Sequence, residues 1–91
     1  MKELEENFIG KGEVKGFIFT QIKKSEYAYI YSVNNGFSVS YEVFFRKENK
    51  QYNCISYPSS KAFGFWAWSA TKNTYLDIFE ELNSRRINAL N

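Results

Sequence analysis

The sequence has no histidine, one cysteine, one proline and five glycines in 91 residues, and each shortage closes off a class of function. Without histidine the chain lacks the commonest general base and the commonest transition-metal ligand. Cys54 forms no internal disulfide, which fits a reducing cytosol, and with no histidine to activate it the thiol is a poor nucleophile. No glycine-rich loop precedes a helix to cradle phosphates. The carboxylates of the central region, Glu13, Glu26, Glu42 and Glu48, are scattered and read as solvated charges rather than a catalytic pair. No apolar run approaches the roughly 18–20 residues that span a bilayer. The opening "MKELEENF" is acidic and has no hydrophobic run, so no secretory signal is expected. Together these absences predict a non-enzymatic, cytoplasmic protein with no catalytic residue, metal or cofactor.

What is abundant is aromatic. Phe, Trp and Tyr make up 20% of the chain and apolar residues 44%, enough to build a core in a single domain spanning residues 1–91. Charge is uneven. Between Lys11 and Lys72 there are nine Lys/Arg against four Asp/Glu, a surplus of five, while both flanks carry a net negative charge. A mildly basic middle attracts phosphates, but weakly compared with a dedicated nucleic-acid binder.

Five segments rich in Val, Ile, Phe, Tyr and Trp predict strands at about 13–22, 26–33, 37–46, 51–57 and 62–69, followed by a helix at about 74–88. Residues 1–12 read as a short helix or a loose segment. A three-residue "NNG" loop would pair Val33 with Phe37, Tyr31 with Val39, Tyr29 with Tyr41 and Tyr27 with Val43, all on one face. A turn through "KENK" would then pair Phe45 with Tyr52 and Val43 with a buried Cys54. In the helix, Tyr75, Ile78, Phe79 and Leu82 share a face, and Thr74 stands at the cap with Asp77 three residues on. One amphipathic helix covers one sheet face, and the tyrosine face is its expected bed. The predicted fold is α+β: an antiparallel meander of about five strands packed on one C-terminal helix.

The stretch "KAFGFWAW" is the densest aromatic run. By alternation Phe63, Phe65 and Ala67 share one face while Gly64, Trp66 and Trp68 share the other, so neither face is polar. Lys61, Phe63, Gly64, Phe65 and Trp68 fit the aromatic strand of RNA-recognition modules. Ala62 and Trp66 depart from that pattern, and the βαββαβ order of such modules has no counterpart here. Core packing is the favoured reading of this strand, with Phe63 and Phe65 as the surface rings if the helix lies over the tryptophans.

The segments "GEVKGFIFTQI", "YEVFFRKENKQYNC" and "SYPSSKAFGFWAW" together resemble those of a group of small proteins of bacterial and phage mobile elements, and the overall profile is similar to that of anti-CRISPR proteins. That resemblance implies stoichiometric binding to a host protein or ribonucleoprotein effector, with its nucleic-acid handling blocked. The expected contacts are the cations Lys23, Lys24, Arg46, Lys47, Lys50 and Lys61 with the rings of Phe63 and Phe65. The basic loops at 23–24 and 46–50 are expected at opposite ends of one meander strand pair. Two alternatives stay open: a module that binds RNA or single-stranded DNA directly, and a small structural protein closed by a copy of itself. The oligomeric state is accordingly monomer or homodimer, with no membrane partner.

Overall fold

The strand-forming middle of the chain does become a sheet, but its partners differ from those the alternation predicts. In the computed structural model residues 1–90 are described, with side chains as far as Arg85. The strands are β1 (Asn7–Ile9), β2 (Ile18–Lys24), β3 (Ala28–Asn34), β4 (Val39–Phe45), β5 (Glu48–Asn49), β6 (Cys54–Ile55) and β7 (Ala67–Ala70), followed by helix α1 (Tyr75–Leu90). Five strands form one antiparallel sheet in the order β1-β2-β3-β4-β7, and β5 and β6 make a separate two-stranded ribbon. The sheet packs on the C-terminal helix, an α+β fold.

Four expectations are corrected. Residues 1–12 are neither helix nor loose: Asn7–Ile9 pairs with β2 as an edge strand, and a short 3-10 turn follows at Gly12–Val14. The β3–β4 hairpin pairs Asn34 with Val39, Ile30 with Val43 and Ala28 with Phe45, leaving a four-residue loop, Asn35–Ser38. Asn35 Oδ1 stabilises it by accepting from the backbone N–H of Phe37 and of Ser38, both at 2.8 Å. Phe37 is thereby 98% exposed at the loop tip instead of facing Val33. Residues 51–57 do not add to β4. The neighbour of β4 is β7, with Val43 opposite Trp68 and Phe44 opposite Ala67, while half-buried Cys54 pairs with Asn49 in the ribbon.

The new register distributes the apolar residues over both sheet faces. On one, Ala28, Ile30, Val43 and Ala70 receive Phe79 and Leu82 of α1, flanked by Tyr75 and Ile78 as the helical spacing predicts. Tyr41 of β4 stacks on Tyr75 at 4.5 Å between ring centroids. Thr74 stands at the helix start, its carbonyl accepting from Ile78 N–H, but its hydroxyl turns back to accept from the Thr71 N–H at 2.9 Å. At the other end Ser25 Oγ donates to Asn83 Oδ1 at 2.6 Å, tying the β2–β3 turn to the helix.

Tyr29, Tyr31 and Val33 point away from the helix, into a second core with Phe19, Phe44 and Ala67. Irregular chain closes this face. Phe8 of β1 stacks on Phe19 at 4.7 Å, and Tyr57, from the segment between β6 and β7, stands edge-on to Phe8, Phe19, Tyr31 and Phe44 at 4.9–5.4 Å. Its hydroxyl donates to Glu42 Oε1 at 2.6 Å. Gly10 is required where β1 turns away: a Cβ there would collide with the Val14 carbonyl oxygen and lie 2.9 Å from the Phe19 ring.

These contacts separate two contributions of Tyr57. Tyr57→Phe keeps the ring packing and removes the donor to a half-buried carboxylate, so it should lower the unfolding free energy by about 1–3 kcal/mol. Tyr57→Ala removes the ring as well and should cost about 3–5 kcal/mol. Urea denaturation of both variants checks the ordering, and equal losses would contradict the ring packing described.

Candidate functional site

The antiparallel register decides which loop residues meet. Lys24 pairs with Tyr29, Tyr29 with Phe44, and Phe44 with Ala67. Two backbone bonds extend the ladder beyond that row: Arg46 N–H donates to the Tyr27 carbonyl at 2.7 Å and Phe45 N–H to the Trp66 carbonyl at 3.0 Å. The end of β2, the end of β4 and the start of β7 therefore lie at the same end of the sheet, with β3 between the first two. Lys23, Lys24, Arg46, Lys47, Phe65 and Trp66 share one end of the sheet. The expectation of opposite ends is corrected: β3 and β4 are antiparallel, so the chain that leaves β2 at Lys24 returns to the same end of the sheet at Phe45.

Within this group the cations have different surroundings. Lys47 Nζ sits 5.1 Å over the Trp66 ring, and Lys23 Nζ lies 5.6 Å from the centroid of Phe79 on the helix side. Lys24 is exposed at the end of β2, Lys50 in the β5–β6 turn and Lys61 on the 3-10 turn Ser60–Ala62. None of these lysines forms an ion pair among the described residues. Arg46 does. Its guanidinium bridges Glu3, with Nη1 donating to Glu3 Oε1 at 2.8 Å and to the Tyr29 hydroxyl at 2.7 Å, while Tyr29 in turn donates to Glu3 Oε1. Arg46 thus clasps the N-terminal segment to the sheet.

The electrostatics follow this clasp. Hydrogen bonds from Arg46 and Tyr29 hold the Glu3 carboxyl down at about 2. Burial, reinforced by the hydrogen bond to Glu3, pushes the Tyr29 phenol up to about 12. The Glu3 hydrogen bond raises the Arg46 guanidinium further above its already high range.

The "KAFGFWAW" run divides. Only Ala67–Ala70 is strand. Gly64 takes a left-handed conformation with φ +90°, the Ala62 carbonyl accepts from the N–H groups of Phe65 and Trp66 at 3.0 Å, and Gly64 N–H donates to the Ala67 carbonyl at 2.8 Å. This turn breaks the alternation. Phe63 folds inward against the tyrosine core, while Phe65 is thrown outward and is 80% exposed. The two rings expected on one face are therefore separated.

Sequence reasoning missed Glu3, Glu42 and Tyr57. Glu42 was expected on a solvated face, yet it lies beneath Tyr57, and burial raises its carboxyl above the ordinary carboxylate range. Desolvation also drives the Tyr57 phenol far upward, so it remains a donor throughout the accessible pH range. Among the described residues no cluster of His, Cys, Asp and Glu is placed to hold a metal ion, and no helix is long and apolar enough to cross a membrane. No family model, curated protein or solved structure matches the chain.

The Glu3 clasp makes a testable contribution to acid stability. A carboxyl whose folded pKa is depressed stabilises fully above its ordinary value of 4.5, and that stability is lost as pH falls through about 2. Because both side chains meet solvent, the expected loss is about 1 kcal/mol or less. Glu42 acts in the opposite sense, since its protonation on acidification relieves a burial cost. Arg46→Met should therefore flatten the fall of the denaturation midpoint between pH 4.5 and 2, and an unchanged slope would show that the clasp contributes nothing.

Proposed function

We propose that the chain is a non-catalytic binding protein that docks through the cationic, aromatic-tipped end of its sheet on a host nucleoprotein, obstructing that partner's nucleic-acid channel in the manner of an anti-CRISPR inhibitor of an RNA-guided effector. The observation that carries this reading is the presence of Lys23, Lys24 and Lys47 at the same end of the sheet as the exposed ring of Phe65. Exposed rings and cations side by side suit a surface that meets both protein and phosphate. The ring supplies an interface anchor, and the lysines follow the charge of a backbone. Lys50 and Lys61 extend the cationic surface from neighbouring turns, and Phe63 supports it from within. Arg46 serves it indirectly, by fixing the end of β4.

A second reading, direct binding of a single strand of RNA or DNA, is favoured by one specific arrangement: the Lys47 ammonium over Trp66, next to the open face of Phe65. Stacking on such rings contributes about 1–3 kcal/mol per base and tolerates any sequence.

Capture from a native host extract, with and without nuclease, tests both. The inhibitor reading expects a protein partner whose retention falls roughly tenfold or more with Lys47→Glu/Lys61→Glu, or with Phe65→Ala, the loss typical of an interface anchor. Both changes are on the surface and should leave the unfolding free energy within about 1 kcal/mol of wild type, the loss of the Lys47–Trp66 contact included. Salt-sensitive binding to an isolated oligonucleotide, abolished by the same changes, would transfer the conclusion to the single-strand reading. Unaltered partner retention by both variants would exclude this sheet end as the contact.

A further inference from the structure

On the face away from the helix, one side-chain row in from the cationic sheet end, lies an open cleft of about 1260 Å³. It is bounded by the N-terminal segment on one side and by residues 54–63 on the other. Apolar side chains dominate its walls, among them Phe8, Phe19, Ile55 and Phe63. At its base, side by side on β4 and β7, sit Glu42 and Ser69.

Glu42 is the unusual member of this lining. A carboxylate among aromatic rings normally has a cation beside it, because its desolvation is otherwise uncompensated. Glu42 has none: among the described residues its one hydrogen bond is from the Tyr57 hydroxyl to Oε1, and neither ion pair in that set includes it. Oε2 has no protein donor and is not sealed from the cleft, since no polar side-chain atom of the described residues is both buried and unpartnered. Tyr57 is held by four rings, so the carboxylate cannot be satisfied by repositioning it. The nearby carboxylate of Glu3 is already taken by Arg46. The other charged side chains of the lining include the lysines Lys2 and Lys11, and neither forms an ion pair with Glu42. What Glu42 itself lacks is a donor bearing positive charge, and what the cleft offers around it is aromatic surface, the environment in which ammonium groups bind rings.

We infer that this cleft binds a small organic cation, an ammonium group carried on an apolar body, with Glu42 as its counter-ion. The apolar body lies against Phe8, Phe19 and Phe63, the ammonium donates to Glu42 Oε2, and Ser69 offers a neutral partner for a second N–H. The volume exceeds the roughly 300–1,000 Å³ of ordinary small-molecule sites, so size does not limit the ligand. This inference is independent of the docking reading, which uses a different part of the sheet.

The test is an NMR titration of the whole chain with 2-phenylethylamine at neutral pH, compared with 2-phenylethanol, a neutral molecule of nearly the same shape. The amine should give saturable amide shifts centred on Glu42, Tyr57 and Ser69, and should bind roughly tenfold or more tightly than the alcohol, the difference expected of one charge-assisted hydrogen bond. Glu42→Gln, which keeps an acceptor for the Tyr57 hydroxyl, should abolish that preference while leaving alcohol binding unchanged. Equal affinity for amine and alcohol, shifts confined to the Lys47–Phe65 end, or a preference that survives Glu42→Gln would each overturn the assignment. The wild-type comparison decides the matter even if the variant fails to fold.

Discussion

Two apolar faces and one helix set the central constraint on this fold. A five-stranded sheet presents a core-forming surface on each side, and an amphipathic helix screens only one of them. The second face is closed by chain with little regular structure, and that closure converges on Tyr57. Its ring stands edge-on to four others, joining β1, β2, β3 and β4 through a single side chain. Edge-to-face contacts add to the area that a ring buries, so one residue in an irregular segment can substitute for a covering helix. The same ring carries its hydroxyl down to Glu42, which couples packing of the second core to the carboxylate beneath it.

The clasp at the N-terminus belongs to the same solution. β1 is three residues long, too short to hold itself in place by ladder bonds alone. Phe8 stacked on Phe19 secures one end of the segment, and Glu3 in the Arg46–Tyr29 network secures the other. Lys2 adds backbone bonds to Asn53 and Ile55, so the N-terminal segment also steadies the region that delivers Tyr57. Closure of the second face is thus cooperative: each piece is positioned by another that it helps to position.

This explains what was legible in the sequence. The helix face was, because Tyr75, Ile78, Phe79 and Leu82 have a clear period and polar neighbours. The fold class was, because strand-forming residues fill the middle and one amphipathic segment follows them. The hairpin register was not: residues 27–45 are apolar on both faces, so alternation has no unique phase, and the Asn35 side chain selected the longer loop. Nor was the neighbour of β4, since "YNCISY" has strand composition but only Cys54–Ile55 pair, and in a separate ribbon. The Glu3–Arg46 pair spans 43 residues and leaves no local pattern. The candidate cations were legible only as charges; that Lys23, Lys24, Arg46 and Lys47 share one end of the sheet follows from the antiparallel run of β2, β3 and β4.

Phe65 remains the residue that folding explains least. Its neighbours all use their rings: Phe63 packs on the tyrosine core, Trp66 meets Phe44 edge-on and receives Lys47, and Trp68 lies against Phe45 and Arg85. Phe65 has no such role, and the Gly64 turn that aims it outward is held by backbone bonds that any side chain at position 65 would permit. A polar residue there would serve the fold equally well and would not expose a hydrophobic ring to water. The three lysines at the same end of the sheet, Lys23, Lys24 and Lys47, have no carboxylate partner among the described residues. Lys23 and Lys47 still contribute to the fold by lying over Phe79 and Trp66, whereas Phe65 leaves its ring to water and returns nothing.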